Sequence, residues 1–281
     1  VAAAVAVTVA AWASAFVAVR WTGTAFSPGP LALGRLLVGA AVLAGATALR
    51  GGWVRPSGRE WALLALCGTA WFGAYNVALN AAAQRVDAGT AAMLVNVGPL
   101  LLAVAAGIVL REGFPRWLLA GLALAFAGVV LIGTATSADP GTDPLGVVLC
   151  QVSAVAYAVG VLAQKPVLRR LPPLQVTTTA CAAGAVACLP FAPALAGEAA
   201  AASPAHLAAL VYLGLVPTAL AFATWAYALA RTDAGRLGAT TYLVPPLTVV
   251  LGWALLAEVP PGAALIGGAL CLGGVALARR S

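Results

Sequence analysis

Charge is what this 281-residue sequence has least of. Only 8% of its residues are Asp, Glu, Lys or Arg, against about 25% in soluble domains. There is a single His, and no zinc-protease His pair, Gly-x-Ser-x-Gly elbow or Walker loop occurs anywhere. Enzyme chemistry is therefore disfavoured, and no catalytic residue, metal ligand or cofactor is expected. The five cysteines, Cys67, Cys150, Cys181, Cys188 and Cys271, are odd in number and lie in apolar stretches. They read as small buried hydrophobes, not as a disulfide framework.

What is abundant is apolar: 63% of residues are hydrophobic and the mean hydropathy is +1.01. A bilayer core of about 30 Å needs roughly 20 apolar residues per helix. Ten such runs are present, at 1–20, 30–49, 61–82, 88–110, 116–134, 144–164, 173–192, 205–229, 235–256 and 262–278. The expectation is an all-α membrane protein, a single transmembrane domain over 1–281 with ten transmembrane helices. The net charge of +7 is topological. With a cytoplasmic N-terminus, the inside loops and tail hold Arg50, Arg55, Arg59, Arg111, Arg116, Lys165, Arg169, Arg170, Arg231, Arg236, Arg279 and Arg280, whereas the outside loops hold Arg20 and Arg85. That bias is expected of a multi-pass protein of the cytoplasmic (inner) membrane with both termini on the cytoplasmic side. It makes the bilayer, not nucleic acid, the partner.

One stretch occurs twice. Asp87-Ala88-Gly89, Pro99 and Glu112 return as Asp233-Ala234-Gly235, Pro245 and Glu258 at a constant shift of 146 residues. The same shift lays Gly121 on Gly267 and Gly128 on Gly274. Two five-helix repeats follow, 1–136 and 144–281, and because five is odd the second enters the membrane from the opposite side. Inverted repeats of this kind mark secondary transporters. The small-residue stretch Ala11 to Ala15 resembles a signal-peptide cleavage site, but losing the first run would break the five-plus-five symmetry. With no initiator Met, a few residues are expected to precede Val1. At the join, Asp143 can cap the sixth helix and Pro144 can occupy its first turn.

Polar and aromatic residues inside the runs are the candidate substrate contacts. The first helix carries Thr8, Trp12 and Phe16 in one stripe, and Tyr157 is the counterpart of Trp12. Both read either as cavity lining or as packing aromatics. Arg35, in the second helix, reads as a snorkelling side chain or as a gate. In the third helix Phe72, Asn76, Asn80 and Gln84 recur every four residues with Tyr75 beside them. This amide face must look inward, either as the wall of a polar cavity, expected chiefly for Asn76 and Asn80, or as interhelical hydrogen bonding.

Pro99 falls near mid-bilayer and releases the carbonyl of Val95, beside Asn96. Pro245 and Pro246 do the same in the ninth helix, beside Tyr242. Paired helix breaks point to a substrate site, the alternative being packing kinks. Pro217, Thr218, Phe222 and Trp225 make a kinked, mostly aromatic face in the eighth helix, which starts with Ser203 and Pro204. The lone His206 reads as interfacial. The glycine-spaced fifth and tenth helices read as a packing edge or a dimer contact.

The duplicated Asp-Ala-Gly, Pro and Glu pattern with its glycine-spaced helix, together with Trp12 and Arg35, resembles the EamA-type branch of the drug/metabolite transporter superfamily. The resemblance covers nearly the whole chain. It implies a ten-helix inverted-repeat permease with a central cavity among helices 1, 3, 4, 6, 8 and 9, and helices 5 and 10 at the periphery. Thr178 stands where a second Arg35 would fall, which departs from a paired-arginine arrangement.

The leading functional expectation is a secondary transporter, an exporter of a small neutral or zwitterionic metabolite such as an amino acid. Phosphorylated cargo would need more buried cations than Arg35, and cationic cargo would need a carboxylate away from the helix ends. Asp87, Glu112, Asp233 and Glu258 all sit at those ends, as caps and anchors. The lack of a midplane acid or His leaves facilitated export or exchange at least as favoured as proton coupling. The alternatives are a non-transporting scaffold or channel-like subunit and a membrane-embedded enzyme. A monomer suffices for transport, with a homodimer left open.

Overall fold

The computed structural model describes residues 1–85, 94–136, 143–256, 262–278 and 280. Asp87, Ala88, Gly89, Glu258 and Arg279 lie outside the described residues, as does most of the join between the two halves.

Within the described residues the chain is helical throughout, with no strand. The first three helices are α1 (Ala2–Thr22), α2 (Pro28–Arg50) and α3 (Gly58–Ala82). Helix α3 begins three residues before the expected start because Ser57 and Glu60 form a capping box, pairing two otherwise orphaned backbone donors. Then follow α4 (Gly98–Val109), α5 (Arg116–Thr136) and α6 (Pro144–Val167). Asp143 caps α6 as expected, accepting from the Leu145 N–H at 2.9 Å, with Pro144 in the first turn. The Arg85 guanidinium, 3.0 Å from the same carboxylate, holds Asp143 below its ordinary pKa.

The seventh run is corrected by the structure. It ends early, as α7 (Pro173–Ala187), and bends by 52° through a short turn into α8 (Ala192–Ala201). Pro190 and Pro193 sit at the bend and cannot continue the hydrogen-bond ladder. The remaining elements are α9 (Pro204–Leu229), α10 (Ala234–Ala239), a 3-10 turn Thr240–Leu243, α11 (Val244–Leu256) and α12 (Gly262–Ala278). Ser203 caps α9 through the His206 N–H, and the His206 ring stacks on Trp21 at 4.4 Å.

Five of these helices, α1, α2, α3, α6 and α9, are long and apolar enough to cross a membrane, and the bent α7–α8 pair makes a sixth. The chain is a multi-pass helical membrane protein.

Helices α5 and α12 pack on one another along their glycines. A Cβ on Gly128 would lie 2.5 Å from the Gly267 carbonyl oxygen, and one on Gly121 would lie 2.5 Å from the Gly274 oxygen. The small-residue faces meet between these two helices, which is the packing reading of the pair. Backbone approach of this kind supplies the packing that replaces a hydrophobic drive in lipid. Gly128→Leu should cost about 1–3 kcal/mol through overpacking and leave the oligomeric state unchanged. Thermal unfolding and light scattering in detergent measure the two effects separately.

Candidate functional site

Helices α3 and α9 share an irregularity that the sequence did not announce. Residues Gly68–Ala74 of α3 and Gly214–Leu220 of α9 are π-helical, and the two segments coincide under the shift of 146 residues. Pro217 explains the second, since a proline cannot donate to the ladder. The first holds no proline. Extra residues in a helix loosen its carbonyls from their usual donors, and π segments are common at functional positions.

Side chains meet those carbonyls. Asn76 Nδ2 donates to the Phe72 oxygen at 2.8 Å and the Trp71 oxygen at 3.4 Å. Thr218 Oγ1 donates to the Leu213 oxygen at 2.8 Å and accepts from Arg35 Nε at 3.0 Å. Arg35 is only 6% exposed. It points into the π segment of α9 and does not snorkel. Asn80 Nδ2 donates to the Pro28 oxygen at 3.1 Å, joining α3 to the start of α2. The amide donors of Asn76 and Asn80 therefore serve backbone carbonyls. The expected amide-rich cavity wall is corrected to internal hydrogen bonding, because a carbonyl freed in hydrocarbon is costly.

The helix breaks fall at matching places. The chain turns at Asn96 and Val97 before α4 starts with Pro99 in its first turn, and the 3-10 turn Thr240–Leu243 precedes α11, which opens with Pro245 and Pro246. Tyr242 and Asn96 meet across the two breaks: Tyr242 Oη donates to the Asn96 backbone oxygen at 3.0 Å. Tyr242 is 0% exposed and packs with Leu118, Leu122 and Cys271 of α5 and α12. It is thus turned to the peripheral helix pair, which corrects its expected place in the central cavity. The Asn96 backbone is part of that clasp.

The aromatic candidates do converge. Trp12 on α1 lies 5.1 Å from Trp225 and 5.5 Å from Phe222 on α9, centroid to centroid. Tyr157 on α6 lies 6.2 Å from Trp225. Trp71 stands at the centre, 4.8 Å from Phe222, 5.4 Å from Tyr157 and 5.7 Å from Trp225. It enters against α6 at Gly160, where a Cβ would lie 2.3 Å from the Trp71 Cβ. Trp71 was missed as a site residue. The aromatic density of the third run was its signal, masked by the more conspicuous amides. Tyr75 packs at the border of this core.

Trp71, Tyr157, Phe222 and Trp225 are buried and Trp12 keeps partial exposure, so the rings pack together where an open cavity was expected. Two apolar surface grooves of about 530 and 510 Å³ run along α6, and no candidate site residue lines either.

Four buried polar side-chain atoms among the described residues lack a hydrogen-bond partner, and all lie on α6 and α9. They are Tyr157 Oη, both amide atoms of Gln164, and Trp225 Nε1. Tyr157 Oη faces Gly238 and the neighbouring Thr241, whose own hydroxyl donates to the Gly238 oxygen. Gln164 is 0% exposed. Leaving such a group unpaired costs about 1–3 kcal/mol. Sequence reading passed over Gln164 because Lys165 beside it marks the end of the run.

The connection from α9 to α10 is tied by charge on both sides. The chain leaves α4 through Arg111 in the left-handed region (φ 58°), and the Glu112 carboxylate then accepts from the Ala234 and Gly235 N–H groups at 2.8 and 3.1 Å. A carboxylate suits the positive end of α10. Lys165 Nζ donates to the carbonyls of Leu229 and Thr232 at the end of α9, at 2.7 and 2.5 Å. No group of three or more metal-ligating side chains occurs among the described residues.

A model of the EamA-like transporter family matches the chain twice, over residues 1–134 and 144–280. The chain belongs to the EamA-like transporter family. It is 39% identical over 276 residues to a probable terminal-alkyne amino-acid exporter of Streptantibioticus cattleyicolor, covering 97% of this chain and 91% of the relative. It is 25% identical to a probable amino-acid metabolite efflux pump of Salmonella typhimurium, over 73% of this chain and 71% of that one. A crystal structure 24% identical in sequence superposes with a TM-score of 0.81, covering 99% of this chain and 98% of the other, and shows the shared fold. Members of this family are transporters, not enzymes, so the closed aromatic core belongs to a protein that moves a small molecule through a membrane. Within this EamA-family chain, Thr218→Val removes the acceptor of a buried guanidinium without changing shape. It should cost about 1.5–3 kcal/mol, read as a lower unfolding temperature in detergent.

Proposed function

We propose that the chain exports a small zwitterionic metabolite, an amino acid with an apolar side chain, across the cytoplasmic membrane by alternating access. The observation that carries this reading is the aromatic core. Its rings come from α1 and α3 of one half and from α6 and α9 of the other, so the core closes the interior between the halves. Two inverted five-helix repeats, 1–136 and 144–281, would rock about it. The two family matches, the coincident π segments and the paired breaks at Asn96 and Thr240–Leu243 support that arrangement. Trp12, Trp71, Tyr157, Phe222 and Trp225 form the substrate seat, while Asn76, Asn80, Arg35 and Tyr242 hold the irregular backbone in place.

The cargo follows from what surrounds the seat. The cations on the helices around the rings are engaged, Arg35 with Thr218 and Lys165 with the carbonyls of Leu229 and Thr232. A phosphate would call for more positive charge than the buried Arg35 guanidinium, whose bond to a neutral hydroxyl leaves its charge in place. Aromatic faces with a few polar atoms suit a compact apolar body carrying a zwitterion. The names of the Streptantibioticus and Salmonella relatives support an amino acid. Both termini face the cytoplasm by the charge bias of the loops, and a single protomer suffices for transport.

Reconstituted into liposomes, the protein should drive counterflow of at least one of the twenty standard amino acids. Trp12→Cys, in a background free of native cysteines, should react with a membrane-impermeant thiol reagent to an extent that changes when that amino acid is added. No flux with any amino acid would overturn the cargo. Labelling indifferent to ligand would overturn alternating access.

A further inference from the structure

We infer that Gln164, Tyr157 and Trp225 form the polar seat of a zwitterionic α-amino acid, the indole and phenol donors taking its carboxylate and the Gln164 carbonyl taking its ammonium. This rests on the reading of the chain as an amino-acid exporter. It adds Gln164 as a binding residue and assigns each end of the ligand to an atom.

The placement starts from Lys165. Its ammonium reaches the Leu229 carbonyl, so the last turns of α6 and α9 lie at one level. Trp225 is one turn before Leu229 and Tyr157 is two turns before Gln164, on the same face of α6. The Trp225 ring, 6.2 Å from Tyr157, therefore stands between the levels of Tyr157 and Gln164. Three side chains whose polar atoms lack partners are in this way stacked along one interior strip.

Their chemistry selects the ligand. An indole N–H only donates, so Trp225 Nε1 calls for an acceptor, and a phenol can donate beside it. Neutral donors to a carboxylate make charge-assisted hydrogen bonds, the stronger kind. The Gln164 oxygen is the one acceptor that cannot donate in turn, and an ammonium supplies three donors. A carboxylate and an ammonium on one small body pair the indole N–H, the phenol and the Gln164 oxygen, and the carboxylate is also an acceptor open to the Gln164 Nε2 donors. The rings must part to admit it, as a transporter that opens to either side requires.

A purely structural Gln164 predicts the opposite behaviour from a binding one. Replacing an unpartnered buried amide with an apolar side chain of similar size relieves an unfavourable burial. Gln164→Leu should therefore unfold at the same or a higher temperature, yet bind its amino acid at least tenfold more weakly.

The test measures thermal shifts and binding of each of the twenty standard amino acids to the purified protein. The best binder is then compared with its des-amino acid and its decarboxylated amine. Wild type should lose at least tenfold in affinity for either analogue. Gln164→Leu should weaken the amino acid at least tenfold and the des-amino acid by less than twofold, since that analogue no longer uses the Gln164 carbonyl. Trp225→Phe, which keeps a ring and removes the N–H, should weaken the amino acid at least tenfold and spare the decarboxylated amine. It stands as the second variant if Gln164→Leu folds poorly. Equal binding of the amino acid by wild type and both variants would overturn the seat and leave the exporter standing. No binding of any amino acid to wild type would instead overturn the cargo on which the seat rests.

Discussion

In a hydrocarbon environment every backbone N–H and C=O must find a partner within the protein, and this demand governs each departure from regular helix in this chain. Where α3 and α9 turn π-helical, Asn76 and Thr218 meet the loosened carbonyls. Where the chain breaks before α4, the Tyr242 hydroxyl reaches the Asn96 oxygen from the matching break. The orphaned donors at the start of α10 go to Glu112, and the last acceptors of α9 go to Lys165. Some buried polar residues, Asn76, Thr218 and Thr240 among them, complement irregular backbone, whereas Thr8, Thr22, Ser153, Thr177 and Thr178 bond back to the carbonyl four residues before them.

That economy explains what the sequence disclosed and what it concealed. The helices were legible because apolar runs of bilayer length have few other uses, and the caps at Asp143 and Ser203 because those residues precede proline at a helix start. The repeat offset located the breaks. Asn76 and Asn80 were harder to place: an inward amide face looks the same whether its donors go to a solute or to a carbonyl on its own helix. The π segment of α3 left no trace in residue type, since it contains no proline. Tyr242 was placed beside its break but on the wrong side, because sequence position gives the level along a helix more surely than the rotation about it.

The duplicated halves share their irregularities and differ in how they stabilise them. The π segment of α3 uses an amide one turn further along the same helix, while that of α9 uses its own Thr218 and, through it, Arg35 from α2. Thr178, on α7, bonds instead to the Leu43 oxygen of α2 and to the Thr47 hydroxyl. A single arginine therefore links α2 to one π segment only. Two halves that move as near copies would be held by unlike contacts, so their resting positions need not be equivalent.

The aromatic core completes this picture through the strength of its contacts. Edge-to-face ring pairs contribute about 0.5–1.5 kcal/mol each beyond the area they bury. Parting the rings toward an aqueous side would expose apolar surface, a cost that an apolar body seated among them removes by covering that surface again. The core is thus closed by many small dispersion contacts that an apolar ligand can replace in kind. The backbone clasps at Glu112, Lys165 and Tyr242 are directional, and a ligand of that sort cannot substitute for them. A solute entering among the rings would exchange ring-to-ring packing for ring-to-ligand packing and pair polar atoms that the closed state leaves alone. The clasps, by contrast, would have to be broken or kept as units. The structure separates these two kinds of contact in space, with exchangeable packing at the centre and directional hydrogen bonds at the helix ends and breaks, which is the division of labour that the proposed alternating access would need.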